Sequence, residues 1–317
     1  MNKLAITLLF VGALTVVSIF WLVRGATPAN PTDKSLKMFV IPYGEPLREI
    51  ANKLKREGLI KDPIVFFLLV KNLGLDKKIQ AGDYRLSSSM SAKEVAAALT
   101  LGIVDIWVTI PEGKRALEIA EILEEKIPSY DLSWADTLSS QEGYLFPDTY
   151  LIPKDATVDL ILSQLKGTFA QKYETLENKT NKSQEEIVTI ASLIEREARR
   201  DEDRALVASV IYNRLALGMG LQIDATVQYA LGFQTAENNW WKRHLSANDI
   251  ALNSPYNTYR NPGLPPTPIC SPGLKSLRAA VNPAQTDYLY YLSDNNGINH
   301  YAKTLAEHNT NIKKYGL

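Results

Sequence analysis

Apolar residues recur at spacings of three and four between Ile187 and Asn213, and this pattern predicts two consecutive helices. A capping box marks the start of the first helix, because Ser183 is followed three residues later by Glu186. The apolar face of this helix consists of Ile187, Ile190, Ala191, Ile194 and Ala198. At about 100° per residue, Glu195 lies on one border of the face and Glu197 on the other.

These two glutamates are candidates for acid catalysis. Partial burial at the edge of an apolar face raises the pKa of a carboxyl group, and general-acid catalysis at neutral pH requires a protonated group. The alternative is that both side chains are solvated partners of Arg196, Arg199 and Arg200. Periodicity alone does not choose between Glu195 and Glu197.

An uncharged, mostly apolar run extends from Leu4 to Val23, which is about the 20 residues that a helix needs to cross a bilayer. A signal peptide is the alternative, but its apolar segment is shorter, about 7–15 residues. We therefore expect an uncleaved transmembrane anchor over residues 1–24 and a Pro-containing linker over residues 25–36. Lys3 favours a cytoplasmic N-terminus, whereas Arg24 opposes it.

The region that follows contains an internal repeat. Ile41–Gly44 returns 69 residues later as Ile110–Gly113, and the neighbouring matches share this offset. Each copy predicts a strand, a Pro-x-Gly turn and an amphipathic helix. The first copy continues into a second helix near Pro63 and a further strand, so residues 37–127 are expected to form a small α+β region.

Residues 128–317 are more irregular and are expected to form a second domain of mixed α+β structure. Within it, Gly and Pro punctuate residues 141–150, which predicts an extended or looping segment. Glu142 and Asp148 are the carboxylates of this segment that are able to face a cleft. Toward the C-terminus, the pattern predicts a β-hairpin followed by a short helix.

Aromatic rings stand beside amides and hydroxyls in the polar part of this domain. That combination suits sugars, because rings cover the apolar C–H face while polar groups bind the hydroxyls. The alternative is an ordinary Pro-rich loop. The candidate sugar-binding residues are Glu142, Gln222, Asp224, Tyr256, Asn257, Thr258 and Tyr259, with Trp240 and Trp241 nearby in sequence.

Composition limits the other functions open to the chain. Its 317 residues suit about two domains. Lys+Arg and Asp+Glu are both 35, and this balance gives no support for nucleic-acid binding by bulk electrostatics. Cys270 is the one cysteine, so no intrachain disulfide can form and a packed thiol is expected. His244, His300 and His308 lack the spacing of metal ligands, so no metal site is expected.

A series of motifs runs through the chain in a fixed order. They are Glu142-Gly143-Tyr144-Leu145-Phe146-Pro147-Asp148-Thr149-Tyr150, Ala191-Ser192-Leu193-Ile194-Glu195-Arg196-Glu197, Asn213-Arg214-Leu215, Leu221-Gln222-Ile223-Asp224-Ala225-Thr226-Val227, Tyr256-Asn257-Thr258-Tyr259, Gly263-Leu264-Pro265-Pro266 and Glu307-His308-Asn309. Together they resemble the YceG-like family of endolytic murein transglycosylases, from about Phe39 onward. The resemblance implies an α+β protein with an N-terminal transmembrane helix, a small LysM-like α+β module containing the repeat, and a mixed α+β catalytic domain. It maps the catalytic glutamate onto Glu195.

The resemblance also implies a reaction. Such enzymes cleave the β-1,4 bond between N-acetylmuramic acid and N-acetylglucosamine in nascent glycan strands, which leaves 1,6-anhydromuramic acid ends. Because the nucleophile is the substrate's own C6 hydroxyl, one glutamate can act first as acid and then as base. Glu195 is expected to do so, with Glu142 as the best alternative second carboxylate.

The same resemblance implies a location and partners. It predicts a single-pass protein of the bacterial inner membrane with its catalytic domain outside the cytoplasm. Peptidoglycan synthases (penicillin-binding proteins) are the expected protein partners, and neither a metal nor an organic cofactor is implied. Family members often carry His-x-Phe where this chain has Asn299-His300-Tyr301, so no role is assigned to His300.

Two other functions stay open at this point. A muramidase-type hydrolase would use Glu195 with Glu142 or Asp148 and a water molecule, and its products would have free reducing ends. A non-catalytic membrane anchor would bind peptidoglycan through the repeat region, and Glu195 would then be dispensable.

Overall fold

The computed structural model describes residues 3–100 and 105–315, with side chains from residue 12 onward. The chain folds into two compact units, Met1–Ile106 and Trp107–Leu317. The division falls earlier than the boundary predicted between residues 127 and 128, because the second copy of the repeat packs within the larger unit. The roles assigned to residues 1–24, 25–36, 37–127 and 128–317 stay predictions.

The smaller unit contains α1 (Lys3–Ala26), β1 (Leu36–Ile41), α2 (Leu47–Arg56), α3 (Pro63–Asn72), β2 (Gly82–Ser87) and α4 (Ala92–Thr100). Strands β1 and β2 pair antiparallel, with Phe39 opposite Tyr84. Both residues are fully buried, as are Leu54 of α2 and Phe66 of α3. Since side chains alternate between the two faces of a strand, one face of this sheet forms the core with the helices.

Helix α1 covers the predicted membrane anchor. Among the residues whose structure is described, no helix is both long and apolar enough to cross a membrane. The side chains of residues 1–11 lie outside the described part, and they include part of the predicted run from Leu4 to Val23. The anchor therefore stays a prediction.

The larger unit begins with β3 (Asp105–Thr109), which starts just before the division between the units. Its further elements are α5 (Ala116–Lys126), α6 (Trp134–Ser139), β4 (Thr149–Pro153), α7 (Val158–Glu174), α8 (Gln184–Glu197), a 3-10 turn (Asp201–Asp203), α9 (Arg204–Ala216), α10 (Asp224–Leu231), α11 (Ala247–Ile250), α12 (Leu274–Val281), β5 (Tyr290–Ser293), β6 (Asn299–Ala302) and α13 (Leu305–Tyr315). Strands β5 and β6 pair antiparallel and α13 follows them, which confirms the predicted C-terminal hairpin and helix.

Both copies of the repeat fold as strand, turn and helix, as predicted. The turn after β1 contains Gly44 at φ +80°, and the turn after β3 contains Gly113 at φ +76°. A residue without a Cβ adopts such positive φ values without strain. The second copy continues through α6 to β4, which pairs with β3 and begins within the segment predicted as extended or looping. Each copy thus has the order strand, helix, helix, strand.

Helix α8 lies at the centre of the larger unit. Every residue from Ile187 to Ile194 is buried, and α9 and α12 pack against this helix. The predicted capping box forms, since the Glu186 N–H donates to Ser183 Oγ at 3.2 Å and the Ser183 N–H donates to Glu186 Oε2 at 2.9 Å. Cys270 is a packed thiol, as expected, and donates to the main-chain carbonyl of Ser192 at 3.4 Å.

Candidate active site

Glu195 lies in the last turn of α8, where its carboxylate connects three helices. Oε1 accepts a hydrogen bond from Arg204 Nη1 at the start of α9 (3.2 Å), and Oε2 accepts the N–H of Gly273 just before α12 (2.9 Å). Only 6% of the side chain is exposed. Both oxygens are therefore engaged by the fold, and removing one partner of such a buried ion pair is costly.

Glu197 points to a different side of α8, because residues two apart on a helix are about 200° apart around its axis. The residue is half-buried, and Oε2 accepts a hydrogen bond from the Tyr291 hydroxyl at 2.8 Å. Burial raises the pKa of the Glu197 carboxyl, the Tyr291 hydrogen bond offsets part of this effect, and the charge of Asp224 raises the pKa again. A carboxyl with a raised pKa is suited to donate a proton near neutral pH.

The Glu197 pocket, a cavity of about 380 Å³, lies beside this carboxyl. Its volume is within the range typical of small-ligand sites. Its walls come from the C-terminal ends of α8 and α9, the start of α10, strand β5 and helix α13. The lining residues are Glu197, Arg214, Leu221, Gln222, Asp224, Tyr259, Tyr291, Leu292, Ser293 and His308.

Three of the predicted sugar-binding residues therefore lie beside Glu197. Asp224 is the first residue of α10, and its Oδ1 accepts a hydrogen bond from the Tyr259 hydroxyl at 2.6 Å. Gln222 has φ +52°, an uncommon conformation for a residue with a Cβ, and its N–H donates to the Thr258 carbonyl at 3.2 Å. Such strained positions cluster at functional sites. Glu195 does not line this pocket.

Tyr256, Asn257 and Thr258, which are also predicted sugar-binding residues, do not line the pocket. Their contacts lie within the loop that contains Tyr259 and between this loop and its neighbours. Asn257 is fully buried, and its Nδ2 donates to two main-chain carbonyls at 2.8 Å each. Thr258 Oγ1 accepts the Ile223 N–H at 3.0 Å. The Tyr256 ring contacts the Tyr229 ring with 4.9 Å between centroids. These contacts fix the loop that carries Tyr259.

The two tryptophans near these candidates in sequence pack against the core of the larger unit and do not line the Glu197 pocket. Trp241 is buried, and the guanidinium of Arg115 lies 4.0 Å from the centroid of its ring. Arg115 also donates to the main-chain carbonyl of Trp240 at 2.6 Å, and the Trp241 indole donates to Glu118 at 3.0 Å. Helix α5 of the second repeat copy is therefore part of the core of the larger unit.

Glu142, the alternative second carboxylate, is buried at the start of α5. Its two oxygens accept the Ala116 N–H at 3.0 and 3.2 Å, and Oε2 also accepts from the Tyr229 hydroxyl at 3.2 Å. Burial raises its pKa to about 7. Asp148 is exposed, and its Oδ1 accepts the adjacent main-chain N–H of Thr149. Neither carboxylate lines the Glu197 pocket.

Sequence reasoning assigns no role to several residues of the pocket. Arg214 and His308 belong to motifs that carry the family resemblance, which is the available signal for them. Tyr291 lies in a segment with strand periodicity, and its contact with Glu197 depends on the fold. His300 lies outside the pocket, where its Nε2 is 3.0 Å from Asp294 Oδ2 and its ring stacks on Tyr315.

Comparisons with known proteins place this geometry in context. The model of the YceG-like family matches residues 39–314. The endolytic murein transglycosylase of Bacillus subtilis (strain 168) is 34% identical in an alignment 327 residues long, which covers 92% of this chain and 89% of that protein. The endolytic murein transglycosylase of Streptococcus pneumoniae serotype 2 is 30% identical over 90% of this chain, which spans 60% of that longer protein. The crystal structure of the yceG-like protein lmo1499 from Listeria monocytogenes aligns with a TM-score of 0.58 and 31% identity, over 87% of this chain and 99% of that one.

Proposed function

The chain belongs to the YceG-like family, and on that premise we propose that it is an endolytic murein transglycosylase whose general acid is Glu197. It cleaves the β-1,4 bond between N-acetylmuramic acid and N-acetylglucosamine and leaves 1,6-anhydromuramic acid ends. The names of its relatives support the activity. The assignment of the acid rests on the pocket, which is lined by Glu197 together with Gln222, Asp224 and Tyr259.

The reaction needs one carboxyl group used twice. Protonated Glu197 donates its proton to the glycosidic oxygen as the bond from that oxygen to C1 of the muramic acid breaks. The resulting carboxylate then accepts the proton of the C6 hydroxyl while O6 bonds to C1 and closes the anhydro ring. Because the nucleophile is tethered to the substrate, its effective concentration is high and no water is consumed.

Asp224 has two effects in this scheme. Its negative charge contributes to the raised pKa of Glu197, so more of the acid is protonated before the reaction. The same charge stabilises the positive, oxocarbenium-like transition state. The hydroxyl of Tyr259, 2.6 Å from Asp224 Oδ1, holds this carboxylate in place.

Glu195, onto which the resemblance maps the catalytic role, is less suited to it. Its oxygens accept from Arg204 and Gly273. A proton donor at this position would have to break the ion pair with Arg204 and leave that guanidinium without one of its buried partners. We therefore assign Glu195 to holding the end of α8 and Glu197 to the chemistry.

The products of the unmodified protein test the reaction type. We expect the soluble body from Lys34 onward to convert uncrosslinked glycan strands into fragments that end in 1,6-anhydromuramic acid, identified by mass spectrometry. Fragments heavier by one water would contradict the lytic reaction and favour a hydrolase. Asp224 would then be the second carboxylate to examine, because it lies in the same pocket as Glu197.

We also propose that the chain is anchored in the inner membrane by Leu4–Val23, with a cytoplasmic N-terminus and the enzyme outside the cytoplasm. The uncharged run in the sequence supports this. The strand–helix–helix–strand order of the smaller unit supports a LysM-like module that binds glycan. An enzyme so placed would cut nascent strands beside peptidoglycan synthases, its proposed partners.

Removal of residues 34–106 from the soluble body tests the proposed role of the smaller unit. We expect slower cleavage of long strands and unchanged cleavage of short fragments, since glycan positioning is lost while the pocket is kept. Removal of residues 34–126 is the matched comparison. That deletion should unfold the protein, because Arg115 and Glu118 hold the core of the larger unit. Equal losses on long and short substrates by the folded shorter deletion would argue against glycan positioning.

A further inference from the structure

His308 of helix α13 lines the Glu197 pocket. The first turn of this helix is fixed, because the Lys303 N–H donates to Glu307 Oε2 at 2.8 Å and the His308 N–H donates to the Thr304 carbonyl at 3.0 Å. The imidazole stacks on the ring of Tyr290 in β5, with 5.3 Å between centroids. The stacking places the ring beside β5, whose residues Tyr291, Leu292 and Ser293 also line the pocket.

One nitrogen of this ring has no partner within the described part of the chain. Nδ1 of His308 is buried and makes no hydrogen bond there. A buried polar atom without a partner is unfavourable, and native proteins rarely keep one unless a ligand, an ion or a water molecule satisfies it. Burial and the nearby charge of Arg214 lower the pKa of His308 below its ordinary value. The lowered pKa favours the neutral imidazole, which can donate or accept a hydrogen bond through Nδ1.

The charges around this nitrogen limit what it can bind. Glu197 and Asp224 place two acidic side chains in the pocket. Within the described lining, Arg214 is the one side chain with a permanent positive charge. Its guanidinium donates hydrogen bonds to the main-chain carbonyls of Gly220, Leu221 and Leu289. Because Arg214 is already engaged and Asp224 is negatively charged, a bound carboxylate would find no free cation in the described lining, whereas an uncharged hydroxyl or acetamido group needs none.

We propose that Nδ1 of His308 hydrogen-bonds an uncharged polar substituent, a hydroxyl or an acetamido group, of a sugar ring bound in the Glu197 pocket. This assignment rests on the proposed function and adds a binding residue to it. His308 contributes affinity and orientation of the glycan, while Glu197 carries out the proton transfers.

The test measures binding separately from cleavage. In a Glu197→Gln background, which is not expected to cleave, binding of peptide-free glycan strands is measured by calorimetry. Adding His308→Phe keeps the ring stacked on Tyr290 but removes both nitrogens, and we expect the Kd to rise on the order of tenfold. Adding His308→Asn places an amide near the position of Nδ1 and should restore most of the affinity. Thermal unfolding shows whether each variant is folded.

His300→Phe is the matched control, because His300 is also stacked on a tyrosine of the same C-terminal region but lies outside the pocket. It should leave the Kd unchanged. An unchanged Kd in folded His308→Phe, or an equal loss in His300→Phe, would overturn the assignment of His308. Absence of cleavage by the unmodified protein, together with absence of binding in the Glu197→Gln background, would instead contradict the proposed function itself.

Discussion

Glu197→Gln is expected to lower kcat for glycan cleavage on the order of a thousandfold, within the range usual for loss of a general acid. The amide keeps the size of the side chain and can accept the hydrogen bond from Tyr291, but it has no proton to give to the glycosidic oxygen. Initial rates of formation of anhydro ends on uncrosslinked strands give the measurement.

The fold of this variant should be unaffected. The raised pKa of Glu197 means that the native structure disfavours its charged form, and glutamine carries no charge. We expect a melting temperature at pH 8 that is equal to or higher than that of the unmodified protein. Retention of more than a tenth of the activity would exclude Glu197 as the acid.

Glu142→Gln is expected to change how stability depends on pH. Burial raises the pKa of Glu142 from 4.5 to about 7 in the folded protein. The stabilisation that comes with the protonated form is complete below pH 4.5 and is lost as the pH rises through 7. The raised pKa should therefore lower the free energy of unfolding by about 3 kcal/mol between pH 4 and pH 8. The glutamine variant should lack this pH-dependent loss and be the more stable protein at pH 8.

Urea unfolding of the soluble body, followed by tryptophan fluorescence at pH 5 and pH 8, measures this effect. The four tryptophans after Lys34 all lie in the larger unit, so the signal reports the unit that contains Glu142. Asp148→Asn is the matched control, since it removes an exposed carboxylate from the same segment. Identical pH dependence in Glu142→Gln and the unmodified protein would show that burial does not raise this pKa as described.

The sequence predicts local structure well where the signal is periodic. The apolar spacing of α8 and its Ser183–Glu186 capping box both form as expected, because they depend on residues three or four apart. The repeat is also visible in the sequence, since each copy keeps its own turn at Gly44 or Gly113. The boundary between the two units at residue 106 is not evident from the sequence. Helix α5 belongs to the larger unit because Arg115 contacts residues more than 100 positions later in the chain.

The same dependence on tertiary contacts explains why the sequence does not distinguish the two glutamates of α8. Periodicity places Glu195 and Glu197 on opposite borders of one apolar face and leaves the choice open, and the family resemblance favours Glu195. What distinguishes them is tertiary structure. Glu195 accepts hydrogen bonds from Arg204 and Gly273. Glu197 accepts one from Tyr291 and lies in the same pocket as Asp224. These contacts join separate elements, so no helical or strand period in the sequence reveals them. Of the seven sugar-binding candidates, Gln222, Asp224 and Tyr259 line the pocket, and Glu142, Tyr256, Asn257 and Thr258 do not.

A comparison of Glu195→Gln with Glu197→Gln on the same uncrosslinked strands, with thermal unfolding of both, decides which glutamate is the acid. We predict opposite outcomes. Glu195→Gln should be less stable, because it removes the buried partner of Arg204, yet its folded fraction should still form 1,6-anhydromuramic acid ends. Glu197→Gln should be at least as stable as the unmodified protein and form these ends on the order of a thousandfold more slowly. More than a tenth of the normal rate in Glu197→Gln, together with a thousandfold loss in folded Glu195→Gln, would return the catalytic role to Glu195.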